Sequence, residues 1–282
     1  QTWHGTPLKK IGCDVPDNGV LSSDRKRAFK EYEREGQLID FLPSPSPFYT
    51  EKITSAFRLG PQARVLERGY PRNDALFTFT EKKCRRIREK LGIPQGKKTI
   101  LYAPTWRDDQ HTAGTGYTYK PGLDFDCLRE KLGEEWVILF RAHYLISSSF
   151  DFEKYGGFIK NVSEYDDIND LYLAADMLLT DYSSVFFDYG NLMRPMLFYM
   201  YDYEKYKNQL RDFYFDISEL PGPVITEERD ISEDIIRLWK EFSYDEKYRS
   251  FNEKFNPIRE ACSLKVLEEI MHLDGGPAGG VK

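Results

Sequence analysis

Histidine, cysteine and long apolar runs are all scarce in this 282-residue chain. The four cysteines, Cys13, Cys84, Cys127 and Cys262, lie far apart and form no Cys-x-x-Cys pair. That spacing argues against a disulfide framework or a cysteine zinc site and reads as free thiols in a reducing compartment. No apolar stretch approaches the roughly 18 residues needed to span a bilayer, and no secretory signal pattern opens the chain. Excess positive charge is also missing. The 40 Lys and Arg against 46 Asp and Glu give a formal net charge of -6, which argues against a general nucleic-acid binder. No cluster of His, Cys and carboxylates has a convincing metal-ligand spacing, so neither metal nor other cofactor is expected. Gln1 stands where a methionine would begin a natural chain, which suggests a fragment of a longer protein.

What is present is enough for real cores. Hydrophobic residues make up 40% and aromatics 15%, in a length that suits two modest domains or one large one. The first 75 residues are rich in turns. Ser23 to Gln37 predicts a charged helix capped by Ser23 or Asp24, with Gly36 near its end and its alternating charges forming a solvated face. Pro43-Ser-Pro-Ser-Pro47 reads as a loop or turn, and Arg64 to Leu66 as a short strand. From about residue 76 short apolar strands alternate with helices. The strands are Thr99 to Ala103, Trp136 to Phe140, Phe158 to Lys160, Met177 to Thr180 and Met196 to Tyr199. The helices are Glu81 to Leu91, Phe125 to Leu132, Ile168 to Ala174 and Ser183 to Leu192. This rhythm predicts buried parallel strands in a doubly wound α/β domain. The Gly-rich end, from Gly275 to Gly280, reads as linker.

Parallel sheets take ligands beyond the carboxyl ends of their strands. Three successive strand exits carry polar chemistry there: Pro104-Thr-Trp-Arg-Asp108, Arg141-Ala-His143 and Asp181-Tyr-Ser-Ser184. The last leaves a strand and opens a helix, where free N–H groups attract anions, and Ser183 and Ser184 add hydroxyl donors. Ordinary N-capping accounts for one serine, not two. His143 at a strand exit and His4 before a Gly-Thr-Pro turn are the histidines with functional placement. His111 and His272 read as surface residues. Asp124-Phe-Asp126 has the look of an acidic metal pair but reads as a helix N-cap.

Trp3-His-Gly-Thr-Pro-Leu-Lys9, Gly69-Tyr-Pro-Arg-Asn-Asp74, Tyr102-Ala-Pro-Thr-Trp-Arg107 and Thr180-Asp-Tyr-Ser-Ser-Val-Phe-Phe-Asp188 occur in that order, with Arg141-Ala-His143 and Arg194-Pro-Met196. Over roughly residues 1 to 260 this ordered set resembles the CDP-glycerol:poly(glycerophosphate) glycerophosphotransferases, the teichoic acid polymerase and primase family. The resemblance implies a GT-B-like fold: residues 76–262 as a Rossmann-like CDP-polyol-binding domain, residues 1–75 as the C-terminal remnant of an acceptor-side domain, and 263–282 as a tail. The family's Arg-Pro-His appears here as Arg141-Ala-His143, which keeps both chemical groups.

The resemblance also implies a reaction. A polyol phosphate, glycerol phosphate first and ribitol phosphate as a variant, moves from its CDP-activated donor to a hydroxyl of a lipid-linked teichoic-acid or capsule polymer, and CMP leaves. His4 is implied as the base and His143 as the group facing the donor phosphates, with the opposite assignment open. Arg107, Arg141, Thr180, Asp181, Ser183 and Ser184 are implied around the donor phosphates. Thr6, Arg72 and Trp106 are implied as further substrate contacts. The expected partners are CDP-glycerol or CDP-ribitol, the lipid-linked acceptor and an anionic membrane surface at the cytoplasmic face, reached through Arg25 to Lys30 and Arg85, Arg86 and Arg88. Two other readings stand beside this one: a GT-B glycosyltransferase releasing UDP or GDP, and an inactive nucleotide-binding or scaffolding module.

Overall fold

The computed structural model describes residues 1–3, 5–16, 23–105, 111–112, 116–117, 122–142, 150–206 and 212–273. The chain divides into two compact units. The first is Gln1–Thr78 with Arg211–Tyr214 and Ser250–Lys282, and the second is Phe79–Leu210 with Phe215–Arg249.

In the first unit, α1 (Ser23–Gln37) is followed by β1 (Phe41–Ser44), α2 (Pro47–Phe57) and β2 (Arg64–Glu67). β1 and β2 pair in parallel, Phe41 opposite Arg64 and Ser44 opposite Glu67. The proline-rich stretch is therefore not a loop throughout. Pro43 lies in β1, opposite Leu66, where a strand with one described neighbour tolerates the missing N–H. Pro47 opens α2, where an N–H would lack a helical partner anyway, and the Ser46 hydroxyl accepts from Tyr49 N at 3.2 Å. Ile39, Leu42, Tyr49, Ile53, Phe57 and Tyr70 form the core. The expected tail from residue 263 is a helix over its described part, α9 (Ser263–Leu273). Val266 joins Leu66 and Cys262 in a small cluster, with Ile270 and Phe41 against it, and this apolar spacing is what makes the segment helical rather than linker. Asp212–Tyr214 also belongs to this unit: Tyr214 N donates to Leu8 O at 2.9 Å and Lys10 N to Asp212 O at 2.9 Å.

The second unit is built on six parallel strands: β3 (Lys98–Ala103), β4 (Trp136–Phe140), β5 (Ile159–Asn161), β6 (Met177–Thr180), β7 (Met196–Tyr199) and β8 (Val224–Ile225). Their spatial order is β8-β7-β6-β3-β4-β5. The chain thus runs outward from β3 to one edge, returns to the centre, and runs outward from β6 to the other, which is the Rossmann order. Ile100, Tyr102, Ile138, Phe140, Met177, Leu179, Leu197 and Tyr199 share one buried face with α4 (Phe125–Leu132) and α7 (Ser232–Glu241). The alternate residues Leu101, Leu139, Leu178 and Phe198 are fully buried on the other. That side carries α3 (Glu81–Lys90), α5 (Ile168–Ala174) and α6 (Val185–Tyr189). Burial on both faces explains why these strands read as unbroken apolar runs. Asp124 caps α4, its Oδ1 accepting from Asp126 N and Cys127 N at 3.0 Å. The chain leaves this unit within α8 (Glu246–Phe255).

Gly36 lies within α1, and its reason is close packing rather than helix termination. A Cβ there would fall 1.9 Å from Phe57 O in α2. Gly36→Ala gains about 1 kcal/mol of helix propensity, but it forces the two helices apart, with an overpacking cost of about 1–3 kcal/mol. The expected net result is a lower melting temperature; an unchanged or raised one would show that α1 moves freely against α2.

Candidate functional site

The switch point of the sheet lies between β3 and β6, which pair from Ile100–Met177 to Ala103–Thr180 and then diverge. Two side chains brace the divergence. The Thr180 hydroxyl donates to Ala103 O at 2.7 Å. Asp181 Oδ1 accepts from Thr105 N at 2.8 Å and from its neighbour Tyr182 N at 2.6 Å. Both residues are buried. A small cavity opens here, lined by Tyr102, Pro104, Thr105, Thr180, Asp181, Tyr199 and Tyr201.

These bonds bear on two residues expected around the donor phosphates. A hydroxyl has one proton to donate, and that of Thr180 goes to Ala103 O, so it does not donate to a phosphate in this arrangement. An ionised Asp181 only accepts hydrogen bonds, and a phosphate offers none. Thr180 and Asp181 support the loop that carries the serines. Ser183 and Ser184 are half-buried, and Ser184 precedes α6 without a side-chain capping bond. Tyr182 is fixed before them. Its ring stacks on Tyr206 at 3.7 Å and 13°, and its hydroxyl donates to Asp202 Oδ1 at 3.0 Å.

Arg141 follows β4, and its Nη1 donates to Val162 O at 3.1 Å and to Tyr165 O at 2.6 Å. Both carbonyls follow β5, one strand further from the switch point than β4. This donor is spent on backbone, and burial lowers the guanidinium's pKa. His4, Trp106, Arg107 and His143 lie outside the described residues. Tyr199 and Tyr201, which complete the aromatic wall with Tyr102, are not among the residues the sequence singles out. The Tyr199 hydroxyl donates to Gly122 O at 2.5 Å, and burial pushes its pKa up. Tyr201 lies flush against Gly122, where a Cβ would come within 2.6 Å of the ring. The available signal was the placement of Tyr199 and Tyr201, two apart, at the end of an apolar strand.

A second set of motif residues meets in the first unit. Thr6 and Tyr70 share a buried hydroxyl–hydroxyl hydrogen bond of 3.2 Å. The Arg72 guanidinium lies 3.8 Å from the Tyr70 ring centroid, and its Nη1 donates to Trp3 O at 3.1 Å. Asp74 accepts from Cys262 N at 2.8 Å and Ser263 N at 3.0 Å, which ties the turn to the start of α9. Among the described residues no three His, Cys, Asp or Glu side chains gather as metal ligands.

A Rossmann-ordered parallel sheet with a polar, aromatic-walled crevice at its switch point defines a doubly wound α/β protein whose ligand end is identifiable. The family model described as CDP-Glycerol:Poly(glycerophosphate) glycerophosphotransferase matches residues 1–272, and the chain belongs to that family. It is 40% identical over 278 residues to the teichoic acid poly(glycerol phosphate) polymerase of Staphylococcus epidermidis, covering 97% of this chain and 38% of that protein. It is 45% identical over 229 residues to the teichoic acid glycerol-phosphate transferase of Staphylococcus aureus, covering 80% of this chain and 58% of that one. The chain thus spans less than two thirds of either relative. Among solved structures it is similar to the wall teichoic acid polymerase TagF, with a TM-score of 0.86 and 38% identity over 97% of this chain and 67% of that one. A histidine-to-asparagine variant of TagF has been solved with CDPG after a soak.

Asp74 yields a pH-dependent expectation. Burial alone raises its pKa, but the hydrogen bonds from Ser263 and Cys262 outweigh burial and hold it below the ordinary carboxylate range. A depressed folded pKa contributes stability above the unfolded value of about 3.9, and that stability is lost as pH falls through the folded pKa. Asp74→Asn is therefore expected to melt earlier at neutral pH, with the gap to wild type closing in acid. A gap that stays constant throughout acid titration would remove the carboxylate from this role.

Proposed function

We propose that the protein to which this chain belongs transfers glycerol phosphate from CDP-glycerol to a hydroxyl at the end of a growing polymer. The observation that carries the reading is the family match across residues 1–272, with every quoted motif inside it. The switch-point crevice and the glycerol-phosphate names of the relatives support it. CDP-ribitol is the variant donor. The acceptor oxygen attacks the phosphorus that bears the polyol, the bond from that phosphorus to the bridging oxygen breaks, and CMP leaves with the electron pair. His4 takes the acceptor proton, since an imidazole titrates near neutrality. His143, Arg107, Ser183 and Ser184 face the donor phosphates. Their contribution is positioning and charge neutralisation, which is the main demand of phosphoryl-group chemistry.

The acceptor is a lipid-linked polymer in this reading, which makes the protein peripheral at the cytoplasmic face of the membrane. No helix among the described residues is long and apolar enough to cross a membrane. The basic residues considered for an anionic surface contribute unequally. Arg88 is engaged by Ala174 O and Asp176, Arg85 lies 3.6 Å from Glu81, and Arg27 pairs with Glu31.

Incubating the intact protein with CDP-glycerol or CDP-ribitol and a lipid-linked acceptor tests the reaction. CMP is the expected nucleotide product. Release of UDP or GDP from a nucleotide sugar, or binding of CDP-polyol without turnover, would overturn the proposal. The serine loop has its own test in calorimetric titration. Replacing Ser183 and Ser184 together by alanine is expected to weaken CDP binding by about 1–3 kcal/mol, the scale of hydrogen bonds to a charged group. Cytidine, without phosphates, should be nearly unaffected; no loss for CDP would put the phosphates elsewhere.

A further inference from the structure

Two motifs more than sixty positions apart meet at one ring. Tyr70 is only 6% exposed and is held on three sides. The Tyr49 ring meets it edge-on at 5.3 Å, the Thr6 hydroxyl bonds its phenol at 3.2 Å, and the Arg72 guanidinium lies 3.8 Å from its centroid. Arg72 then reaches past the ring, and its Nη1 donates to Trp3 O. The Trp3 ring is itself seated edge-on against Phe57 at 4.7 Å. The backbone that presents Tyr70 and Arg72 is equally fixed. Gly69 has φ +106°, and a Cβ on it would come within 3.2 Å of Cys262 Sγ and 3.3 Å of Ile258 Cγ2. Beyond it, Asp74 ties the turn to α9.

Trp3 O and the Thr6 side chain stand on either side of position 4 in the chain. The first is the carbonyl of the peptide that joins Trp3 to His4. The second lies two residues beyond His4. Arg72 grips one, and Tyr70 grips the other. A guanidinium can lay its face on a ring and still donate in its own plane, whereas an ammonium offers a point charge without that fork. Arg72 uses both capacities here.

We infer that Arg72, with Tyr70, is a positioning residue for His4 rather than a substrate contact. The clamp holds Trp3 O and the Thr6 side chain, which flank in sequence the residue that removes the acceptor proton. The inference rests on the reading of His4 as the base.

Steady-state kinetics of the intact protein with CDP-glycerol and acceptor test it. Arg72→Gln is expected to lower kcat by about 10- to 100-fold, the scale of a misplaced catalytic group. The KM for CDP-glycerol should stay within about twofold, because no ground-state contact to the donor is lost. Arg72→Lys, which keeps the charge but not the fork, should recover part of kcat. Tyr70→Phe keeps the ring and its packing and removes the phenol that bonds Thr6. It should lower kcat by about threefold or more at unchanged donor KM, and it decides the matter if Arg72→Gln melts far below wild type. In a His4→Ala background, Arg72→Gln should cost less than about twofold, since neighbours acting through one group are not additive.

The two layers fail differently. Near-normal kcat in His4→Ala would overturn the reading of His4 as base. A crippled His4→Ala beside normal kcat in a folded Arg72→Gln, or in Tyr70→Phe if that variant must decide, would overturn the clamp alone. A raised donor KM with unchanged kcat in Arg72→Gln would make Arg72 a substrate contact, which also overturns it.

Discussion

The parallel pairing of β3 with β6 is the constraint on which the second unit depends. These central strands are laid down far apart in the chain and meet in register from Ile100–Met177 to Ala103–Thr180. Because the chain winds away from this pair in both directions, a crevice must open at its carboxyl end. Diverging loops leave main-chain donors and acceptors that need partners in the interior. Thr180 and Asp181 supply them, to Ala103 O and Thr105 N. The same pairing therefore creates the crevice and holds Thr105 and Asp181, where the two bordering loops begin.

The first unit solves a comparable problem without a large sheet. Its two described strands cannot by themselves fix the turn from Gly69 to Asp74. Stacking and charge-assisted hydrogen bonds do so instead: Tyr70 against Tyr49, Arg72 on Tyr70, and Asp74 on the first N–H groups of α9. A cation held over a ring has lost part of its hydration and keeps its orientation. That is how a half-exposed arginine such as Arg72 can hold a carbonyl 69 residues away in sequence.

Legibility followed periodicity. The second unit's central strands and several of its helices were readable because both sheet faces are buried and the apolar runs are unbroken. α1 was readable from its charge pattern and ending. β1 and α2 were not, because three prolines in five residues dominate any local reading, while the pairing of Pro43 with Leu66 is decided by a strand twenty residues later. α9 is hard to read from sequence because its apolar residues point both ways: Val266 is buried, whereas Leu264, Leu267 and Met271 are exposed. At the candidate site, Ser183 and Ser184 could be picked out from the strand-to-helix transition. The work of Thr180, Asp181 and Arg141 could not, because a sequence shows that a polar group is present but not whether a backbone atom already occupies it.

That distinction reorders the motif residues. Thr180, Asp181, Arg141, Arg72 and Asp74 all direct hydrogen bonds to or from main-chain atoms. They are charged or polar because loops at the ends of buried strands leave backbone groups that apolar side chains cannot satisfy. An arginine bonded to carbonyls keeps its charge, so Arg141 still adds to the local field even though the Nη1 donor is committed. Close recognition of an anion then falls to groups not consumed in this way. For the transfer proposed above, in which the acceptor oxygen is the nucleophile, such an arrangement suits the chemistry. Donors aimed at developing charge are most effective when they need not reorganise as it forms, and they stay in place because the neighbouring polar residues are bound to the backbone that carries them.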